Sequence, residues 1–353
     1  MKKRNIATLE DVAELAKVSV ATVSRFINGK KIRPELVDRV KEAAEKLEYK
    51  PNSAARAVRG SQSGIIGMIL PQLQDAYFST LIEGATREAL KHGKTIMVAS
   101  SQGKKEIENQ LIHQFSRSLI DGLIYTPVAT GGNFVETNAF RNMPVIIAAR
   151  NPSVYPGFVH MYQNTRKGGY LSTSYLLSLG HRRIAFFASF WEKICTPESI
   201  LDILDSPGSG VYLSLDRFRG YLDALHEANL EYDPELMVIC GYGSNTGAEA
   251  TLELLSRCVD FDAVVTASDT VAGGAVRCLA QQGIEVPGDV SVIGFGNLPT
   301  SALFSPALTT VHYDMFALGQ ETVRGMNLLI EGSSVKNKEL DVKLVLRGST
   351  MKK

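Results

Sequence analysis

The stretch from Thr8 to Asn28, TLEDVAELAKVSVATVSRFIN, constrains this chain more than any other. It reads as two short helices separated by a tight turn. Thr8 is placed to cap the first helix, with Asp11 three residues on in a capping-box position. Val12, Leu15 and Ala16 recur at i, i+3 and i+4 and predict an inward face. Lys17-Val18-Ser19 makes the turn, and Ser19 is placed to cap the second helix. Val23, Phe26 and Ile27 then pack back on the first helix. That leaves Val20, Ala21, Thr22, Ser24 and Arg25 facing outward. A solvent-facing stripe of small and hydroxyl residues ending in arginine suits a helix that must approach base edges closely. The pattern is that of a helix-turn-helix whose second helix enters the major groove of DNA. The alternative is a small helical hairpin with no DNA role.

Charge points the same way. Residues 1–60 hold 14 Lys+Arg and 8 Asp+Glu, so a basic head sits on a net-acidic remainder although the whole chain carries only +1. Such a head attracts phosphates, and its affinity should fall steeply with salt. At 353 residues the chain suits two or three compact units. No apolar run approaches a membrane span, and MKKRNIATLED lacks the apolar stretch of a signal peptide. Cys195, Cys240, Cys258 and Cys278 are scattered without CxxC spacing, as expected of reduced thiols in a cytoplasmic protein.

A third helix follows, with Pro34 at its first position and Leu36, Val37, Val40, Ala44 and Leu47 as its inward stripe. Tyr49-Lys50-Pro51-Asn52 breaks it. The alanine-rich run Ser53–Arg59 is too short to be a stable helix alone. It reads either as a helix formed when two copies pack on DNA or as a plain linker. Residues 60–64 are a hinge.

From Ile65 strands and helices alternate. IIGMIL, TIMVAS, GLIYTP and PVIIAA read as buried strands, with helices over 77–92, 105–118 and 133–141. A second series has strands RIAFFAS, LMVIC, AVVTAS and SVIGF, with helices over 166–179, 215–229, 246–257 and 270–282. Repeated βα units with apolar strands mean parallel sheets covered by helices on both faces. Two such series predict two lobes with a ligand cleft beyond the carboxyl ends of the strands.

Four segments carry a family resemblance: TLEDVAELAKVSVATVSRFING, YKPNSAARAVRG, LGHRRIAF, and VPGDVSVIGFGN followed by SPALTTV. In this order they resemble the lactose-repressor (LacI/GalR-type) family of bacterial transcription regulators over essentially the whole chain. The terminal LVLRGST matches that family's usual last strand. The resemblance implies a multidomain protein: an all-α DNA-binding head over 1–48, a hinge helix and linker over 49–63, and a two-lobed periplasmic-binding-protein-like α/β core over 64–353. Its N-lobe would span about 64–163 and 314–331, and its C-lobe about 164–312 and 332–350, with crossings near 163–165, 312–314 and 331–333. It implies a repressor, without cofactor, that binds a palindromic operator as a homodimer. A small effector, a sugar or sugar derivative, would control it from the cleft.

Site residues follow from the same resemblance. Val20, Ala21 and Arg25 match base-reading positions, and Arg25 is the candidate for a bidentate contact to guanine. Thr8, Ser19, Thr22, Ser24, Asn28, Tyr49 and Asn52 match positions that contact or support the phosphate backbone. Ala55, Val58 and Arg59 lie in the hinge, and Val58 stands where the family usually wedges a leucine into the minor groove. Tyr77, Phe78, Arg150, Arg217, Ser268 and Asp269 match effector-contacting positions, and Tyr242 in GYGSNTG is placed to stack on the ligand. The family's usual Asp-Arg is Ala149-Arg150 here, and glycine replaces an acid at Gly296. Losing two carboxylates while keeping two arginines favours an anionic ligand, a sugar acid or sugar phosphate. The alternative is a neutral ligand with Arg150 in an internal salt bridge.

The stretch from Phe190 to Leu213 is roughly twenty residues longer than the family's usual loop and holds the sole tryptophan, Trp191. It reads as a lid, a partner surface or a tolerated surface loop. No histidine, cysteine or carboxylate spacing gives a catalytic or metal site, and GYGSNTG lacks the Lys-Ser/Thr of a phosphate loop. A solute-binding protein without a DNA role is the second reading, and the basic head argues against it. After Thr350 only Met-Lys-Lys remains, without a leucine heptad, so the expectation is a dimer rather than a tetramer.

Overall fold

The computed structural model describes residues 7–27, 31–49, 62–128, 143–191, 194–204, 206, 209 and 212–353. The expected helix over 133–141, the hinge run from Ser53 to Arg59, and Asn28 and Asn52 lie outside them. The chain divides into two units, Met1–Ser63 and Gly64–Lys353.

In the first unit, α1 (Leu9–Ala16), α2 (Val20–Ile27) and α3 (Pro34–Lys46) pack around Val12, Ala13, Ala16, Val23, Val40 and Ala43. The capping box forms as its spacing predicts. Thr8 Oγ1 accepts the Asp11 amide at 3.3 Å, and Asp11 Oδ2 accepts the Thr8 amide at 2.7 Å. Lys17 closes α1 in the left-handed region at φ 53°. Ser19 Oγ accepts the Thr22 amide at 3.2 Å and so caps α2. Arg39 ties α3 to the turn by donating to the carbonyls of Ala16 at 2.6 Å and Lys17 at 3.2 Å. Leu15 corrects the expectation: it is 43% exposed, and Ala13 takes the core position. In so small a head each helix buries only a narrow strip, and α3 reaches the Ala13–Ala16 edge of α1.

The second unit holds two six-stranded sheets. The first has the order β11-β5-β4-β3-β1-β2, with β1 (Ile65–Leu70), β2 (Thr95–Ser100), β3 (Gly122–Tyr125), β4 (Val145–Ala148), β5 (Val159–Gln163) and β11 (Lys338–Leu340) all parallel. The second has the order β12-β10-β9-β8-β6-β7. Its members are β6 (Ile184–Ser189), β7 (Met237–Cys240), β8 (Ala263–Thr266), β9 (Ser291–Gly296), β10 (Thr309–Tyr313) and β12 (Val342–Val345). Only β12 runs antiparallel to its neighbour. The covering helices are α4 (Ala76–Lys91), α5 (Lys105–Ser116), α6 (Thr165–Ser178), α7 (Ile200–Leu204), α8 (Leu213–Glu227), α9 (Ser244–Ser256), α10 (Asp269–Gln281) and α11 (Met315–Ile330).

The chain passes from the first sheet to α6 after Gln163, and from the second sheet to α11 after Tyr313. The third crossing corrects the expected 331–333. Lys338–Leu340 still pairs with β5, so the chain changes lobe at Asp341, between β11 and β12. Gly332 does end α11, with φ 82°, but that local break is not the exit from the lobe.

One helix pair on the second sheet packs closely enough to require glycine. In α6 and α8, Gly169 and Gly220 face each other's backbones. A Cβ at Gly220 would lie 1.9 Å from the Arg166 carbonyl oxygen, and one at Gly169 would lie 2.0 Å from that of Arg217. Backbone so close cannot yield to a methyl group. Gly220→Val is therefore expected to cost about 3 kcal/mol or more of stability. A urea midpoint within a few tenths molar of the parent chain would contradict this close approach.

Candidate functional site

Two sites emerge, one in each unit. On the head, α2 exposes Val20, Ala21 and Arg25, while Thr22 and Ser24 are half-buried. The Thr22 hydroxyl lies 2.9 Å from that of Ser19, so both stand at the amino end of the helix. Small side chains here let the helix backbone come close to another surface, and Arg25 carries the charge. Thr8 is exposed at the amino end of α1, and Tyr49 packs partly against the head's core.

In the second unit a cleft opens between the lobes, with about 640 Å³ of empty space, its mouth included. Aromatic walls with a few buried polar groups suit a small molecule. Tyr77, Phe78, Arg150, Arg217, Tyr242 and Ser268 all line it. Two helices point their amino ends at it. Asp75 caps α4 by accepting the Tyr77 amide at 2.9 Å, and Ser268 caps α10 by accepting the Val271 amide at 3.2 Å. Such ends present partial positive charge.

The two arginines are buried, at 3% exposure for Arg150 and 4% for Arg217. Arg150 Nε donates to the Pro127 carbonyl at 2.9 Å, and its Nη1 to that of Ala149 at 2.8 Å. Arg217 Nη1 donates to the Ala267 carbonyl, and its guanidinium lies over the rings of Phe295 at 4.9 Å and Tyr313 at 5.6 Å. Among the described residues, neither has a carboxylate hydrogen-bond partner. The internal salt bridge for Arg150 is therefore replaced by two carbonyls. Burial lowers the Arg150 guanidinium below its ordinary range. The Nε of Arg217 and the Tyr77 hydroxyl are buried without a protein partner. Burial pushes the Tyr77 phenol up to about 12, so it remains a hydrogen-bond donor at neutral pH.

Asp269 departs from the expectation. It is fully buried and braces the loop after β9 instead of lining the cleft. Its Oδ2 accepts the Leu298 amide at 2.7 Å and the Ser301 hydroxyl at 2.5 Å, and its Oδ1 accepts the Thr310 hydroxyl at 2.5 Å. Burial raises its carboxyl above the usual range. Leu298, held by this carboxylate, does line the cleft. Of the two positions lacking an acid, Gly296 lines the cleft and Ala149 does not. The cleft also contains residues the sequence did not single out as ligand contacts: Asp75, Tyr212, Phe295, Leu298 and Tyr313. An aspartate just before a helix is a cap signal that could have pointed to Asp75; the others come from loop and strand ends brought together only by the tertiary fold.

The described residues of the long segment before α8 pack into the C-lobe. Cys195, Ile200 and Leu204 are buried, the Tyr232 hydroxyl donates to the Pro197 carbonyl at 2.7 Å, and Arg219 donates to the Leu204 carbonyl and the Ser209 hydroxyl. Trp191, Tyr212 and Leu213 from this segment line the cleft. GYGSNTG forms the connection from β7 to α9, where Thr246 Oγ1 donates to the Gly243 carbonyl at 2.8 Å.

A head with an exposed small-faced helix, joined in one chain to a two-lobed cleft, matches two family models. Residues 8–52 match the bacterial regulatory proteins of the lacI family, and residues 63–343 match the periplasmic binding proteins and sugar binding domain of the LacI family. This chain belongs to the LacI family. It is a DNA-binding transcriptional regulator with a small-molecule effector domain. It is similar to the transcriptional repressor PurR of Histophilus somni, at 28% identity over 98% of this chain and 99% of PurR. It is 30% identical to the transcriptional regulator GalR of Escherichia coli over 90% of this chain and 87% of GalR. Among solved structures, the lac repressor dimer bound to operator and the anti-inducer ONPF superposes with a TM-score of 0.84 at 26% identity, covering 98% of this chain and all of that one. Among the described residues, no helix of this LacI-family chain is long and apolar enough to cross a membrane.

Proposed function

We propose that this regulator binds a palindromic operator as a dimer, with α2 of each head in a major groove, and that an anionic sugar derivative controls it from the cleft. Arg25 reads a base edge, and Val20 and Ala21 give close apolar contact. Thr8, Ser19, Thr22, Ser24 and Tyr49 position the head on phosphates, together with Asn28, Asn52, Ala55, Val58 and Arg59.

The observation that carries the ligand class is the pair of buried guanidiniums without carboxylate partners. Glu108 acts on Arg150 only through space, and carbonyls and rings offset little of the cost of burying a guanidinium, so a bound acid group would offset much of the rest. Arginine is suited to the task by its planar fork, and the two helix ends add to the attraction. Asp75 supplies an acceptor for a hydroxyl, which suits a sugar acid or sugar phosphate better than a bare anion. A ligand that binds one lobe arrangement more tightly shifts the population toward it, and only by that difference in affinity.

A thermal-shift comparison of D-glucuronate, D-glucose 6-phosphate and D-glucose tests the ligand class. An acid or phosphate is expected to raise the melting midpoint by several degrees at saturating concentration. Equal or better protection by D-glucose would overturn the anionic reading. Operator affinity, read by fluorescence anisotropy, is expected to fall linearly in log K against log salt, and a flat response would overturn the phosphate contacts.

A further inference from the structure

We propose that Trp191 is the specificity-determining residue of the cleft. It is a partition that bridges the lobes and limits the ligand to one sugar-sized ring. This inference rests on the cleft being the effector site.

The indole is held from both lobes. On the C-lobe side its ring lies 4.6 Å from that of Tyr242, tilted by 36°. On the N-lobe side it meets Gly103, where a Cβ would lie 3.1 Å from Trp191 Cε3 and 3.2 Å from Cδ2. Gly103 has φ 71° and donates its amide to the Pro71 carbonyl at 2.9 Å, so its loop is fixed. The base of Trp191 is fixed as well. The Phe190 amide donates to the Cys240 carbonyl at 2.9 Å, and the Phe190 ring packs edge-on to Tyr212 at 5.8 Å. A side chain at position 103 would occupy the space of the indole, so glycine is what lets the lobes meet here.

Trp191 also has two sides open to ligand. One faces the interlobe cleft, and the other faces a separate groove along β7 lined by Cys240, Thr246, Glu249 and Glu253. One side chain therefore divides the two spaces. Removing it joins them, and the groove offers hydroxyl and carboxylate groups to the hydroxyls of a second ring. A ligand already two rings long would have to keep the indole off Gly103.

Trp191 is the sole tryptophan, so tryptophan fluorescence reports on the surroundings of this one indole. The first test is acrylamide quenching of the full-length chain without ligand. The indole is expected to be shielded severalfold relative to the urea-unfolded chain, and Gly103→Asn is expected to remove most of that shielding. Asparagine tolerates a positive φ, so this variant adds bulk with little backbone strain. Unshielded emission in the parent chain, or quenching unchanged in Gly103→Asn, would overturn the bridge.

The second test reads ligand size by thermal shift with D-glucuronate and cellobiouronate, in which the same acid is 1,4-linked to a neutral glucose that brings no second carboxylate to Glu249 and Glu253. The parent chain and Trp191→Phe are expected to favour the monomer. In Trp191→Ala the preference for the disaccharide over the monomer is expected to rise by about tenfold or more. Protection of the parent chain by cellobiouronate, or an unchanged preference in Trp191→Ala, would overturn the partition. If neither uronate protects the parent chain, the anionic-effector reading loses its support. The partition then still stands or falls on the quenching result and on whether Trp191→Ala alone gains disaccharide binding.

Discussion

Arg217→Ala is expected to leave operator binding intact and to weaken the effector by about 100-fold or more, the scale of losing one member of a buried charged pair. Arg217 is 4% exposed and reaches the cleft from α8, with one carbonyl and two aromatic faces as its protein partners. Those partners offset part of the cost of burying a guanidinium. An anionic ligand would offset much more, and that difference is binding energy. The same reasoning predicts an opposite effect on stability. Arg217→Met fills similar volume without a charge, so the ligand-free protein is expected to melt no lower than the parent chain and above it if desolvation dominates. Function and stability would then separate at one residue. Melting curves with and without the sugar acid, beside anisotropy on operator, decide it. Undiminished ligand protection in Arg217→Ala would mean that the acid group is held elsewhere, with Arg150 as the other buried guanidinium of the cleft.

Much of the architecture was legible because its signals are local. The Thr8–Asp11 box, the Ser19 cap and the apolar strands each depend on a few adjacent residues, and the structure forms them at those positions. What was not legible depends on distant chain segments. Leu15 has the spacing of a core residue, yet the position of α3 favours Ala13. The break at Gly332 looks like the end of a lobe, but three residues of β11 find a parallel partner in β5 before the chain leaves. Asp269 looks like a ligand contact after a strand end. The loop from Asn297 to Ser301 folds over it and turns its carboxylate inward. Trp191 was visible only as the lone tryptophan of a long segment, because its contact with Gly103 joins loops that follow strands of different sheets.

Arg25→Ala is expected to remove operator recognition while sparing the head's fold. Arg25 is exposed, has no place in the core of Val12, Ala13, Ala16, Val23, Val40 and Ala43, and is the only charged side chain on α2. Its truncation should therefore leave the melting curve unchanged. A bidentate arginine–guanine pair discriminates by about 1–3 kcal/mol, and a dimer on a palindrome makes the contact twice. The operator is then expected to weaken by roughly 30-fold or more, and its advantage over a scrambled duplex to shrink accordingly. The salt dependence separates this role from a phosphate contact. Losing a base contact leaves the slope of log K against log salt nearly unchanged, whereas losing a phosphate contact lowers it by about one. An equal loss on operator and scrambled duplex, with a shallower slope, would assign Arg25 to the backbone. Recognition would then have to come from the apolar Val20 and Ala21 and from the shape of the DNA.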